Sequence, residues 1–347
     1  MMRKLLFTVV SIFSFCVTSW GQDSYFTQFY ANPLELNPAL TGAFEGTYRV
    51  SLSYRDQWSG IVDNPYKTFG LYGDMRFEVG KHGGDYVGAG FTFISDKVAT
   101  FDFNTLGIKL SGAFHKNLDV RTKQYLSGGL FLGVMQKNVN VEQLYFDDQF
   151  NGLNGYIFPT SEIFPENNYG YTDLGLGLNY AISPSDETQY TVGGSVAHLH
   201  EPSASFGVRT EEIDAPDIKL YSKWTGYVSA SFEVSELVRI LPRFSIISQG
   251  PYLLMNLGLN TRLVINDHNS NAIQFGIGLR MARDIEKLTP SAMYLTGGIE
   301  LGNFILGLSY DFNLDDLSNE RLGQGIMEFN VTYIGEYDNS ASFCPTF

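Results

Sequence analysis

The sequence predicts an all-β fold, a transmembrane antiparallel β-barrel of about 14 strands with a non-strand N-terminal segment and long extracellular loops. Three observations predict it. Apolar and polar residues alternate strictly in run after run along the chain, the pattern of strands whose two faces meet different surroundings. The runs are long, commonly ten or more residues, where a tilted strand needs about 9–11 to cross a bilayer and strands in general peak at about 5–6. Their polar faces are rich in Gly, Ser and Asn rather than the Lys, Glu and Thr of solvated sheets, which suits the crowded interior of a closed barrel. Composition agrees, with 36 Gly, 27 Phe and 21 Tyr among 347 residues.

In chain order, residues 1–21 (MMRKLLFTVVSIFSFCVTSWG) read as a signal peptide: Arg3 and Lys4 precede an apolar run from Leu5 to Val17, with Ser19 and Gly21 at the cleavage positions. The run is shorter than the roughly 20 residues of a membrane-crossing helix. Cys16 leaves with it. Cys344 is then the only cysteine of a mature chain starting at Gln22, which excludes an internal disulfide and a Cys-based metal site. Residues 22–47 form a pre-barrel segment. Asn32-Pro33 and Asn37-Pro38 fix two turns in it, because proline sets its own φ and restricts the residue before it. Such a stretch cannot be a strand and is a candidate plug for the barrel.

Residues 48–347 form one barrel domain, with no Pro/Ser linker or charge block dividing it. Fourteen runs are predicted at 48–57, 66–78, 85–95, 104–114, 124–136, 172–182, 188–198, 219–232, 238–248, 252–264, 272–282, 290–301, 303–313 and 325–334. In 303-NFILGLSYDFN-313, for example, Phe304, Leu306, Leu308, Tyr310 and Phe312 share a lipid-facing side opposite Gly307, Ser309 and Asp311. Pro242 interrupts its run and predicts a bulge or kink, since proline cannot donate to the ladder. An even strand count puts both termini on one side. The two long connections, 138–171 and 199–218, are both odd-numbered, and even connections such as 183–187 are short. That matches long loops outside and short turns in the periplasm.

A net charge of −14, with Lys and Arg scattered singly, excludes a nucleic-acid partner, whose phosphates need a basic surface. Eight charges point into the barrel: Arg55, Asp74, Arg76, Lys109, Arg262, Arg280, Asp311 and Glu328. Such residues pair with each other in a polar lumen or mark a conduit. His198 and His200 share a face at a strand end beside Glu201, the spacing of metal ligands, but read more simply as a polar rim. Asp311, Asn313 and Asp315 imitate a calcium loop, yet Asp316 stands at the glycine position and Leu322 at the bidentate glutamate. Ser195 lies in a poor nucleophile elbow with no helix following. No catalytic residue, metal site or cofactor is expected, and the chain is not expected to be an enzyme. Loop 138–171 concentrates Tyr145, Phe146, Phe150, Tyr156, Phe158, Phe164 and Tyr169, candidate partner-binding residues, because exposed aromatics in that number are costly unless they pack on something. Loop 199–218 adds an acidic rim of Glu201, Glu211, Glu212, Asp214 and Asp217.

The stretches 22-QDSYFTQFYANPLELNPALTG-42 and 54-YRDQW-58, with 308-LSYDFNLDDL-317 and the terminal 343-FCPTF-347, resemble the PorP/SprF family of Bacteroidetes type IX secretion membrane proteins. The resemblance touches both ends of the chain; loop 138–171 carries no family motif. It implies a non-enzymatic outer-membrane barrel working with type IX secretion components, and a secreted adhesin or its C-terminal domain as partner, delivered to or held at the cell surface, gliding adhesins included. The Asn37-Pro38-Ala39 triplet also resembles the N-terminal hatch of fatty-acid outer-membrane transporters. That implies an alternative, a fourteen-stranded transporter for hydrophobic solutes.

Overall fold

The structure is a computed structural model and describes residues 23–59, 65–79, 84–98, 103–140, 145–153, 155–161, 168–203, 219–266, 271–284, 287–314 and 325–336. The signal peptide, Phe164, Glu211, Glu212, Asp214, Asp217, Asp315, Asp316, Leu322 and Cys344 lie outside the described residues. Fourteen strands close into one barrel, each antiparallel to its sequence neighbours, with the first also paired to the last. They are β1 Tyr48–Gln57, β2 Tyr66–Val79, β3 Asp85–Val98, β4 Phe103–Asp119, β5 Gln124–Asn138, β6 Asn168–Ser185, β7 Thr188–Ala197, β8 Lys223–Ser235, β9 Val238–Gln249, β10 Tyr252–Asn266, β11 Asn271–Asp284, β12 Lys287–Leu301, β13 Phe304–Asn313 and β14 Gly325–Gly335. Closure leaves no unpaired edge, as hydrocarbon requires of any spanning sheet.

Alternation decides which face is which. On β13, Leu308 is 50% exposed and Phe312 43%, while Ser309 is 1% and Asp311 0% exposed. The same alternation places Ile108, Leu110, Leu130, Leu132, Val134, Leu176 and Leu178 on the outside. In water that belt would carry a large hydrophobic cost; in a bilayer it is the solvated face. Strand lengths run from 10 residues in β1 to 18 in β6. The longest therefore project past the roughly 9–11 residues that span the hydrocarbon. The three longest connections, after β5, β7 and β13, share one rim, and the connections after the even-numbered strands, all short, share the other.

The structure corrects the sequence reading at several places, and β3, β4 and β12 are each longer than the run that predicts them. Strand β6 starts at Asn168, so Tyr169 is a strand residue, stacked on Tyr171 at 6.0 Å between ring centroids. Strand β8 starts at Lys223, and Lys219 makes only an isolated bridge to Ser203. Pro242 causes no bulge: it faces Leu259 in unbroken β9–β10 register, and the β8–β9 register is the same on either side of it. Its neighbour Arg243 points inward, onto the Tyr30 ring, which turns Pro242 outward. A register shift does occur at another proline, Pro290-Ser291, where the β11–β12 pairing slips between Arg280 and Met281. Lastly, β7 ends at Ala197, and His198 follows with a left-handed φ of 56°, outside the strand.

Candidate functional site

Residues 23–47 lie inside the barrel and reach its wall on many sides. The segment is three short turns of helix, Phe29–Ala31, Pro33–Leu36 and Pro38–Leu40, and two of them begin at the prolines that bar it from the sheet. It enters near the long-loop rim, where the Asp23 amide donates to Gln249 Oε1 (3.0 Å) at the end of β9. It leaves at the short-turn rim, where the Thr47 amide donates to Gly335 O (2.9 Å) and the chain runs into β1.

Between those points its contacts form three groups. The amides of Thr27 and Gln28 donate to Glu328 Oε1 and Oε2 (2.6 and 3.0 Å), and Thr27 Oγ1 donates to Asp311 Oδ2 (2.8 Å) while accepting from Arg280. Arg55 meets Glu328 at 3.1 Å, and Arg280 meets Asp311 at 2.7 Å. Four of the predicted luminal charges thus meet at one place, around the N-terminal segment. Next, Asn37 Nδ2 lies within hydrogen-bond distance of Leu178 O (2.9 Å), Gly194 O (3.2 Å) and Tyr227 Oη (3.1 Å), on three successive strands. The wall there must be bare: a Cβ on Gly177 would overlap Asn37 Oδ1, and one on Gly88 would overlap the Thr41 carbonyl. Finally, the Gly42 amide donates to Asp74 Oδ2 (2.7 Å), and Arg49 grips the same carboxylate with two bonds at 2.9 and 2.7 Å.

The other predicted charges also lie on the luminal face. Arg76 sits over the Tyr86 ring at 3.8 Å, and Arg262 pairs with Glu300 at 2.6 Å. Lys109 belongs to a network that the sequence reading missed. It lies 3.3 Å from Glu35 and 3.7 Å from Asp173; Lys223 lies 3.4 Å from Glu35 and 3.0 Å from Asp23; and His198 bridges Asp173 and Asp23, both at 2.9 Å. Burial alone would lower the His198 pKa, but the Asp23 charge and the bonds to Asp173 and Asp23 outweigh it and hold the imidazole above its ordinary range. Burial likewise opposes ionisation of Asp23, and the Lys223 charge overcomes it, leaving the carboxyl well below the usual range. Three acids and three bases, from the segment and from four places on the wall, neutralise one another.

These contacts occupy the groups that imitated chemistry. Both His198 nitrogens face carboxylates, while His200 Nε2 meets Thr172 Oγ1 at 3.3 Å. Ser195 Oγ donates to Leu36 O (2.8 Å), and Asp311 is a strand residue paired to Arg280.

Aromatic residues in the connection between β5 and β6 belong to a small hairpin held by its own contacts. Phe150 bridges Tyr156, the Asn151 amide donates to Gly155 O (2.8 Å), and the Phe158 amide donates to Gln149 O (3.1 Å). Asp148 ties the base by accepting from the Ser161 amide (2.6 Å) and Thr160 Oγ1 (3.0 Å); the Ser161 amide is the main cause of its lowered pKa. Tyr145 and Phe150 each pack on Tyr156 at 5.3 Å between ring centroids. The hairpin still presents Tyr145 at 73%, Ile157 at 72% and Phe158 at 51% exposure, with Phe146 half-buried.

Solved outer-membrane barrels share the fold. A monoaromatic hydrocarbon channel, the TodX deltaS2S3 mutant, superposes with a TM-score of 0.51 at 12% identity, covering 88% of this chain and 94% of that one. A Pseudomonas aeruginosa FadL homologue gives 0.50 at 11% identity, covering 86% and 92%. No curated protein matches the sequence. The family model that does match spans residues 18–333, nearly all of the barrel together with the segment inside it. This chain therefore belongs to the type IX secretion system membrane protein family PorP/SprF.

Proposed function

We propose that this outer-membrane barrel is a non-enzymatic component of type IX secretion that delivers a secreted adhesin-like protein to the cell surface or retains it there, gliding adhesins included. The observation that carries the reading is the hairpin at 145–161. It is held by its own hydrogen bonds, yet it leaves Tyr145, Ile157 and Phe158 largely exposed beyond the long-loop rim. An ordered aromatic surface of that kind suits a protein partner, since aromatic anchors dominate binding energy. Family membership makes other secretion components and a secreted substrate the natural partners. The segment seated across the lumen supports docking at the rim, with residues 23–47 acting as a plug.

A channel for hydrophobic solutes finds less support. The lumen around residues 23–47 is lined by ion pairs and amide side chains such as Arg280–Asp311 and Asn37, which do not make an apolar path. The test is a pull-down of the full chain in mild detergent, with mass spectrometry of what accompanies it. A secreted protein or periplasmic type IX components are expected; bound lipid without protein would favour the channel.

A further inference from the structure

Four arginines inside the barrel each meet a carboxylate: Arg49 with Asp74, Arg55 with Glu328, Arg262 with Glu300 and Arg280 with Asp311. Arg243, on β9, does not. Among the described residues no acid lies within ion-pair distance of it, and its buried Nη1 has no hydrogen-bond partner. Its guanidinium lies over the Tyr30 ring at 3.8 Å. Tyr30 Oη in turn donates to Gln28 Oε1 (3.4 Å), leaving the buried Gln28 Nε2 without a partner as well.

Gln28 and Arg243 both line one cavity of 210 Å³ between residues 28–33 and the barrel wall. Arg49, Asn260, Gln274 and Asn330 share the lining, and among the described residues no Asp or Glu does. Two arginines and four amide side chains therefore surround this space; Arg49 already has the Asp74 carboxylate and Gln274 the Glu300 carboxylate, so Arg243 is the cation there without a counter-charge. A guanidinium withdrawn from water without a counter-charge is costly, and its planar fork matches the geometry of an oxyanion. The cavity lies toward the short turns, as Gly298 and Ile305 of its lining flank the β12–β13 turn at Gly302-Asn303. Its ligand would come from the periplasmic side.

We propose that this cavity binds a single oxyanion group, a carboxylate, phosphate or sulfate, held by Arg243 and Gln28. The volume has room for one such group with a short stem. The inference is independent of the partner surface at 145–161.

The purified full chain in detergent is titrated by calorimetry at constant ionic strength, in separate arms, with inorganic phosphate, with a tripeptide ending in a free carboxylate, and with the same tripeptide amidated. Saturable binding of phosphate or of the peptide acid, with none of the amidated peptide, is expected. Phosphate alone would identify a free anion as the source, and the peptide acid alone a chain terminus. Arg243→Gln should weaken binding by roughly tenfold or more, the worth of a charge-assisted hydrogen bond, whereas Arg239→Gln, on the same strand outside the cavity, should leave it unchanged. If Arg243→Gln does not fold, Gln28→Leu is read in its place and should weaken binding severalfold. The proposal is overturned if neither phosphate nor the peptide acid binds, if the amidated peptide binds equally well, or if folded Arg243→Gln or Gln28→Leu binds like wild type.

Discussion

The amide of Thr27 donates to Glu328 Oε1 at 2.6 Å across 301 positions of sequence, fastening the segment inside the barrel to its last strand. The same carboxylate accepts from the Gln28 amide and pairs with Arg55, so one side chain neutralises a cation and satisfies two backbone donors. Glu328→Ala would leave all three uncompensated, at a cost of roughly 3–5 kcal/mol for a broken buried pair. The barrel should still insert, and the loss should fall on the segment. In a Cys344→Ser background, a Ser24→Cys probe should react with a soluble maleimide much faster when Glu328→Ala is present. Equal labelling rates would show that this contact does not hold the segment.

Close approach gives a second prediction. Gly88 faces the Thr41 carbonyl so tightly that a methyl cannot fit, whereas Gly297 has open space where a Cβ would stand. Gly88→Ala should destabilise the seated segment by about 1–3 kcal/mol, the usual cost of overpacking. Gly297→Ala should be nearly neutral. Urea unfolding of the two variants measures the difference, and matching midpoints would contradict the placement of Thr41.

Register is tested at two neighbouring residues of β7. Val192 is 47% exposed on the lipid side, while Thr191 lines a polar vestibule of 860 Å³ inside the short-turn rim. Arg at a lipid-facing midplane position costs roughly 2–4 kcal/mol, and far less where water reaches it. Val192→Arg should sharply reduce the heat-modifiable folded band on a gel, and Thr191→Arg should leave it near wild type. The reverse order would mean that the strand is one residue out of register.

The His198 bridge makes seating pH-dependent, with a definite sign. Its folded pKa lies above the ordinary 6.5, so its contribution is complete below that value and disappears as pH rises through the folded pKa. The stability difference between wild type and His198→Gln should therefore be largest in mildly acidic buffer and shrink toward alkaline pH. Urea midpoints from pH 6 to 9 check this, and a difference that grows with pH would refute the charged bridge.

Much of this was legible in the sequence because a strand's period of two survives without any knowledge of its partners. Leu308 against Ser309, and Arg55 or Asp311 as inward charges, follow from parity along one strand. The lengths of β4 and β6 did not, since their extensions beyond the bilayer lack the lipid-facing signal. The period-two signal leaves Tyr169 in the loop for that reason. The network of Asp23, Glu35, Asp173, His198 and Lys223 was also hidden. Its members come from distant parts of the chain and meet only after closure, and alternation marks none of the residues outside strands. Pro242 misled because proline disrupts a ladder only where its missing donor is needed, and β9 keeps its register on both sides.

The central functional claim, that the hairpin after β5 holds the secreted partner, is tested most directly by replacing residues 145–161 with a short Gly/Ser turn. The amount of partner retained at the cell surface is then measured against wild type, at matched levels of heat-modifiable barrel. The account predicts a folded, inserted barrel that has lost most of its partner, because Tyr145, Ile157 and Phe158 go with the hairpin. Wild-type retention by the trimmed barrel would contradict it, and would move the binding surface to residues 23–47 or the lumen.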